Sequence, residues 1–218
     1  MLTVICAMRN EADALLSQST IISKEKKFGK EIFYAEAFNH KYALILGGIG
    51  KTNAAASAMI AVTFLHAEKI LNFGLAGGIS EKAKIGDVFY ISRAVQYDFD
   101  LSEVNHTQIG TLDEYSEPYF YLPKIDSAYP IATLATGDRF TNSTADLSLL
   151  NELNTDVRDM EGAAIAHIAQ FTDTPLFMYK GISDTVGENS VDQYLANTKK
   201  TLEALKNAIP AILGEIYG

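Results

Sequence analysis

Residues 157–184, VRDMEGAAIAHIAQFTDTPLFMYKGISD, do most to limit what this chain can fold into. Residues 155–160 read as a short strand that delivers Glu161 to the start of a helix. That helix, 162–170, is small and apolar. A buried strand, 175–182, follows and ends in Ser183-Asp184. Two acids therefore stand at the C-terminal ends of two strands separated by one helix. Open α/β sheets bind their ligands at such strand ends.

The rest of the chain keeps the same alternation. Residues 2–7 read as a buried strand, and Met8 to Glu11 open a helix whose first turn carries Glu11 and Asp13. Acids there suit the helix dipole, so on this stretch alone Glu11 is an ordinary helix-start acid. Residues 32–38 and 42–46 predict a hairpin turning at Asn39-His40-Lys41. The following GGIGKT invites a phosphate-loop reading, but that pattern needs glycine where Ile45 stands. Thr52 is the expected cap of an Ala-rich helix over 53–66. A strand at 69–73 runs into the small residues 74–78, and 88–96 is a longer strand. Residues 97–130 are the least regular part, a length of loop that is uncommon without a role. Strand 131–136, helix 144–153 and a closing helix over about 191–217, kinked at Pro210, complete the chain. The pattern predicts one α/β domain over 1–218: a three-layer α/β/α sandwich with a mixed, mostly parallel central sheet.

Charge and composition exclude several functions. A formal net charge of -9 argues against a nucleic-acid backbone binder. The lone Cys6 offers no disulfide framework. The N-terminus reads as a first strand rather than a signal peptide, and no apolar run is long enough for a membrane span. A cytoplasmic protein is expected, with no membrane partner. His40, His66, His106 and His167 show no metal-ligand spacing, and neither metal nor cofactor is expected.

Taken in order, the motifs ICAMRNEADAL, GGIGKTNAA, NFGLAGGI, IGDV, YDFD, TGDRF, DMEGAAIAHI and KGISD span nearly the whole chain. Together the chain resembles the nucleoside phosphorylases and nucleosidases, and most of all the bacterial 5′-methylthioadenosine/S-adenosylhomocysteine nucleosidases. The resemblance implies N-glycosidic hydrolysis of a purine nucleoside, first of all 5′-methylthioadenosine and/or S-adenosylhomocysteine to adenine and a 5-thio-ribose derivative, with water as co-substrate, in a homodimer. It makes Glu11 the acid that activates water. Asp184 becomes the acid at N7 of the leaving purine. Glu161 holds the ribose hydroxyls, with Met160 under the sugar and Asp159 beside it. Phe140 and Thr141 meet the base, and Ala7, Met8, Ile49, Gly77 and Ser183 line the pocket. The chemistry agrees: glycosidic cleavage needs an acid near the leaving group and a base near water. An acid that keeps its proton near neutral pH must have its pKa raised by burial.

Four departures stand out. Leu75 replaces a hydroxyl residue that helps the phosphorylases bind phosphate. Lys180 replaces an arginine and Asp159 a glutamate. The helix usually found before strand 131–136 is missing. Val191 falls where the family places an aromatic near the 5′ substituent. The alternatives are a nucleosidase for futalosine- or inosine-type nucleosides, a phosphorylase, and a nucleoside-binding module without catalysis. A phosphorylase needs arginines for its phosphate. Of Arg9, Arg93, Arg139 and Arg158, Arg9 lies nearest the site in sequence.

Overall fold

The computed structural model of the chain describes residues 1–140, 144–187 and 189–218, with residues 144 and 145 described by backbone alone. In chain order the elements are β1 (Leu2–Cys6), α1 (Arg9–Leu16), β2 (Thr20–Lys27), β3 (Lys30–Ala37) and β4 (His40–Leu46). Next come α2 (Lys51–Thr63), β5 (Lys69–Gly78), β6 (Val88–Gln96), α3 (Ser102–Asn105) and β7 (Tyr119–Tyr121). The last are β8 (Ile131–Thr136), α4 (Thr144–Glu152), β9 (Val157–Asp159), α5 (Gly162–Phe171), β10 (Leu176–Thr185) and α6 (Ser190–Tyr217).

The strands form one mixed sheet in the order β10-β6-β8-β9-β5-β1-β4-β3-β2, with β7 on β6. Its middle is parallel: β4, β1, β5 and β10 run the same way. β10 pairs with both β5 and β6, so β5, β9, β8, β6 and β10 close on themselves. The layers are those the alternation predicts, but one end of the sheet curls into a ring. Period-two alternation divides the side chains between the faces. Ile5 and Ile70 pack with the alanines of α2 and α5. Val4, Leu71 and Phe73 pack with Leu15 of α1 and with Leu205, Ile209 and Ile212 of α6. Both faces are covered, which is why β1 is buried at every position and apolar at all but Thr3.

Several boundaries differ from the sequence expectation. The β3–β4 turn is Phe38-Asn39, both at positive φ (49° and 65°), one place earlier than expected. Positive φ at both central residues is the type I′ form of the two-residue hairpin turn. Thr52 lies inside α2; the cap position is Gly50. β5 continues through Gly78 because small residues let it pass between its neighbours. β10 continues through Thr185, so Ser183 and Asp184 are strand residues. α6 runs unbroken through Pro210. Proline lacks the N–H that would bond the Lys206 carbonyl. Gln18 Nε2 fills that role at 2.7 Å. Between β7 and β8 no helix is present among the described residues, in keeping with the expected omission.

Candidate active site

Glu11 sits in the first turn of α1, buried against β5. Its Oε2 accepts the Met8 N–H at 2.9 Å, the back-reaching half of a capping arrangement. Its Oε1 accepts the Leu75 N–H at 2.7 Å. The carboxylate fits there because residue 74 is glycine: a Cβ at Gly74 would lie 2.5 Å from Oε1. The helix-start reading of Glu11 is thus true and incomplete. The same bonds that start the helix also aim and hold the carboxylate.

Glu161 stands at the N-cap position of α5, but its side chain turns to the start of α2, where its Oε1 accepts the Gly50 N–H at 2.8 Å. Helix N-termini favour anions, so this bond holds the side chain in place. Asp159, two residues earlier, is tied more tightly. It accepts the Thr136 hydroxyl at 2.6 Å, the Gly162 N–H at 2.9 Å and Lys180 Nζ at 2.8 Å. Asp159 therefore borders the cavity as an anchor for α5 and Lys180.

Asp184 stands just past a register shift between β10 and β5. Bulges re-aim side chains next to active sites. Its Oδ1 accepts the Ser183 hydroxyl at 2.8 Å, and its Oδ2 accepts Arg158 at 2.9 Å. Gly77 leaves room for this pair, since a Cβ there would lie 2.9 Å from Asp184 Oδ2 and 3.1 Å from Arg158 Nε.

These groups border one cavity of about 400 Å³. Ala7, Met8, Glu11, Ile49, Gly77, Phe140, Asp159, Met160, Glu161, Ser183 and Asp184, each expected from sequence, all line it. Thr141 lies outside the described residues. Leu75, Ala76, Arg158, Val191, Tyr194 and Leu195 line it too. Tyr194 and Leu195 follow Val191 at helical spacing, so the aromatic expected at Val191 is supplied one turn later. Arg158 is the larger omission. A basic residue inside the buried triplet of β9 is rare enough to be a signal in itself. Arg9, the arginine expected near the site from sequence, turns outward to an ion pair with Glu31.

Burial dominates the electrostatics. It pushes the Glu11 carboxyl up, and Lys180 and the Leu75 and Met8 amides recover only part of the shift. Burial likewise raises Asp184, against the opposing pull of Ser183 and Arg158. Glu161 is pushed up to about 7 by burial and by the neighbouring Asp159, with Lys180 and the Gly50 amide opposing. Burial pulls Lys180 down, but Asp159, Glu161 and Glu11 outweigh it and hold the ammonium charged. Three carboxyl groups with raised pKa values facing one apolar cavity are suited to moving protons near neutral pH. Among the described residues no group of three or more His, Cys, Asp or Glu side chains is arranged to hold a metal ion. His167 stacks on Phe120 instead, with centroids 5.1 Å apart.

Known proteins share this architecture. The chain is 26% identical over 213 residues to an aminodeoxyfutalosine nucleosidase of Campylobacter jejuni, covering 91% of this chain and 93% of the relative. It is 27% identical over 211 residues to a 5′-methylthioadenosine/S-adenosylhomocysteine nucleosidase of Bacillus pumilus, covering 89% and 91%. The crystal structure of the Helicobacter pylori 5′-methylthioadenosine/S-adenosylhomocysteine nucleosidase superposes with a TM-score of 0.89 at 21% identity, covering 98% of this chain and 97% of that one. The model of the phosphorylase superfamily matches residues 2–214, so the chain belongs to that superfamily.

Proposed function

We propose that this protein is a nucleosidase, which hydrolyses the N-glycosidic bond of a purine nucleoside to free base and a ribose derivative. The observation that carries this reading is the convergence of three buried acids on one cavity of about 400 Å³. Each acid is held by its own backbone or side-chain donors.

The chemistry divides among them. The C1′–N9 bond breaks with its electron pair going to the base, and positive charge builds on the sugar. Asp184 meets N7 and provides the proton that lets the base leave neutral. Glu11 takes a proton from the water that bonds to C1′. Glu161 accepts hydrogen bonds from the ribose hydroxyls, and Met160 packs beneath the ring. General acid and general base are each worth about 10²–10⁴-fold in such reactions.

Hydrolysis is favoured over phosphorolysis by charge. On the Glu11 side the wall is formed by Leu75, Met8 and a second acid, Glu161. The one cationic side chain lining the cavity among the described residues, Arg158, is paired with Asp184. A phosphate dianion beside Glu11 would find two acids and no arginine.

The names of the relatives divide between 5′-thioadenosine and futalosine-type substrates. Exposed Ile49, Val191 and Leu195 form an apolar cavity mouth, which suits a thioether and tolerates larger 5′ groups. A single domain over 1–218 and a cytoplasmic location, expected from length and composition, belong to the same reading, as do a homodimer and a role in methionine salvage, which rest on the resemblance.

The test is a panel of 5′-methylthioadenosine, 5′-methylthioinosine, adenosine, inosine and aminodeoxyfutalosine, assayed in phosphate-free buffer and again with phosphate. Free base and a reducing sugar without phosphate are expected. Release only with phosphate would make the protein a phosphorylase, and release from none would leave a binding module.

A further inference from the structure

We propose that Arg158 selects the leaving base: placed beside Asp184, its guanidinium meets the substituent at C6 of the purine and favours 6-oxopurine over 6-aminopurine nucleosides. This inference rests on the reading of Asp184 as the residue at N7.

Arg158 is 5% exposed, yet it lines the cavity. Three contacts fix its guanidinium. One terminal nitrogen donates to Asp184 Oδ2 at 2.9 Å. Its Cζ lies 4.8 Å from the centroid of Phe140, the ring expected to pack on the base. Its Nε lies beside Gly77, where a Cβ would come within 3.1 Å. That Nε is buried and has no hydrogen-bond acceptor. The protein itself leaves this edge of the guanidinium unsatisfied, at a cost in stability.

Chemistry then orders the two groups along the purine edge. Arginine carries donors only and does not release its proton. It cannot protonate N7 as the base leaves, whereas Asp184 can. With Asp184 at N7, Arg158 meets the adjacent position, C6. A 6-oxo group accepts there, and arginine is the side chain that reads an O6/N7 edge. A 6-amino group would set donor against donor. A site built to bond one such group discriminates strongly against the analogue that cannot bond in return.

The experiment compares kcat/KM for the matched pairs 5′-methylthioinosine with 5′-methylthioadenosine and inosine with adenosine. It uses the parent and the Arg158→Gln and Arg158→Lys variants, with calorimetric binding of hypoxanthine and adenine as a second readout. The parent is expected to favour the 6-oxo member of each pair by about 10- to 100-fold. Glutamine suits an N6/N7 edge, so Arg158→Gln should reverse the ratio, while Arg158→Lys should retain its sign. A parent that favours the 6-amino substrates overturns the inference, because the guanidinium would then not meet the C6 substituent, and the reading of Asp184 at N7 would stand apart from that result. A ratio unchanged in Arg158→Gln overturns it as well. The parent comparison decides even if a variant fails to fold. Absence of release from every nucleoside, with neither base bound, would remove the nucleosidase reading itself and this inference with it.

Discussion

Lys180 Nζ lies 2.8 Å from Asp159 Oδ2, and both side chains are only 2% exposed. β9 and β10 are not neighbours in the sheet; each pairs with β5, and this ion pair ties them together. Asp159 also holds the first turn of α5 through Gly162. Lys180→Met should therefore destabilise the protein by about 3–5 kcal/mol, because it strands a buried carboxylate beside two others. Lys180→Met with Asp159→Asn should recover much of that loss. Urea unfolding of the two single variants and the double variant measures the coupling, and simple additivity would refute it.

Glu161 makes stability depend on pH. Its folded-state pKa, about 7, is above its ordinary value of 4.5. The folded protein therefore binds more protons than the unfolded chain between those values. The contribution is fully present below about pH 4.5 and is lost as pH rises through about 7. Glu161→Gln removes this dependence. Between pH 4.5 and 7.5 the variant should gain on the parent by about 1–3 kcal/mol. Parallel stability curves for the two proteins would contradict the shift.

The sequence made the layers legible because burial on both faces writes itself as apolar runs, as at 42–45 in β4 and 176–179 in β10. It also made the acids legible, since Glu11, Glu161 and Asp184 each stand where a strand gives way to a helix or ends. What it hid depends on contacts distant in the chain. The ring closes through β10 pairing with both β5 and β6, which no local pattern encodes. Glu11 is positioned by an amide 64 residues away, at Leu75. Pro210 sits in an intact helix because Gln18, far off in sequence, satisfies the carbonyl that proline leaves bare. Arg158 was visible as a letter, but its role follows only once β9 and β10 bring it to Asp184.

Gly74→Ala should separate stability from catalysis. The added Cβ would lie 2.5 Å from Glu11 Oε1 and 2.8 Å from Cδ. Those atoms end a flexible side chain, so the carboxyl moves more readily than β5 does. Its bond to Leu75 is then lost and the carboxyl is misaimed. A shift of about 1 Å at a reacting group can cost about 10²-fold. kcat should fall by roughly that factor while thermal unfolding changes by only a few degrees. An unchanged kcat would mean that the Leu75 amide does not position the base.

Glu11→Gln and Asp184→Asn should both lower kcat by about 10²–10⁴-fold on purine nucleosides, but for different reasons. Glutamine keeps the length but offers one acceptor oxygen where Glu11 uses two, so it keeps one of the Met8 and Leu75 bonds, and the main loss at position 11 is that of a proton acceptor for water. The loss at position 184 is that of a proton donor to the base. A riboside of 4-nitrophenol tells them apart, because nitrophenolate leaves without a proton. On that substrate Asp184→Asn should lose far less activity than on a purine nucleoside, while Glu11→Gln should lose as much as before. Equal losses on both substrates in Asp184→Asn would show that Asp184 orients the base and does not protonate it. The Arg158–Asp184 pair would then be a binding device alone.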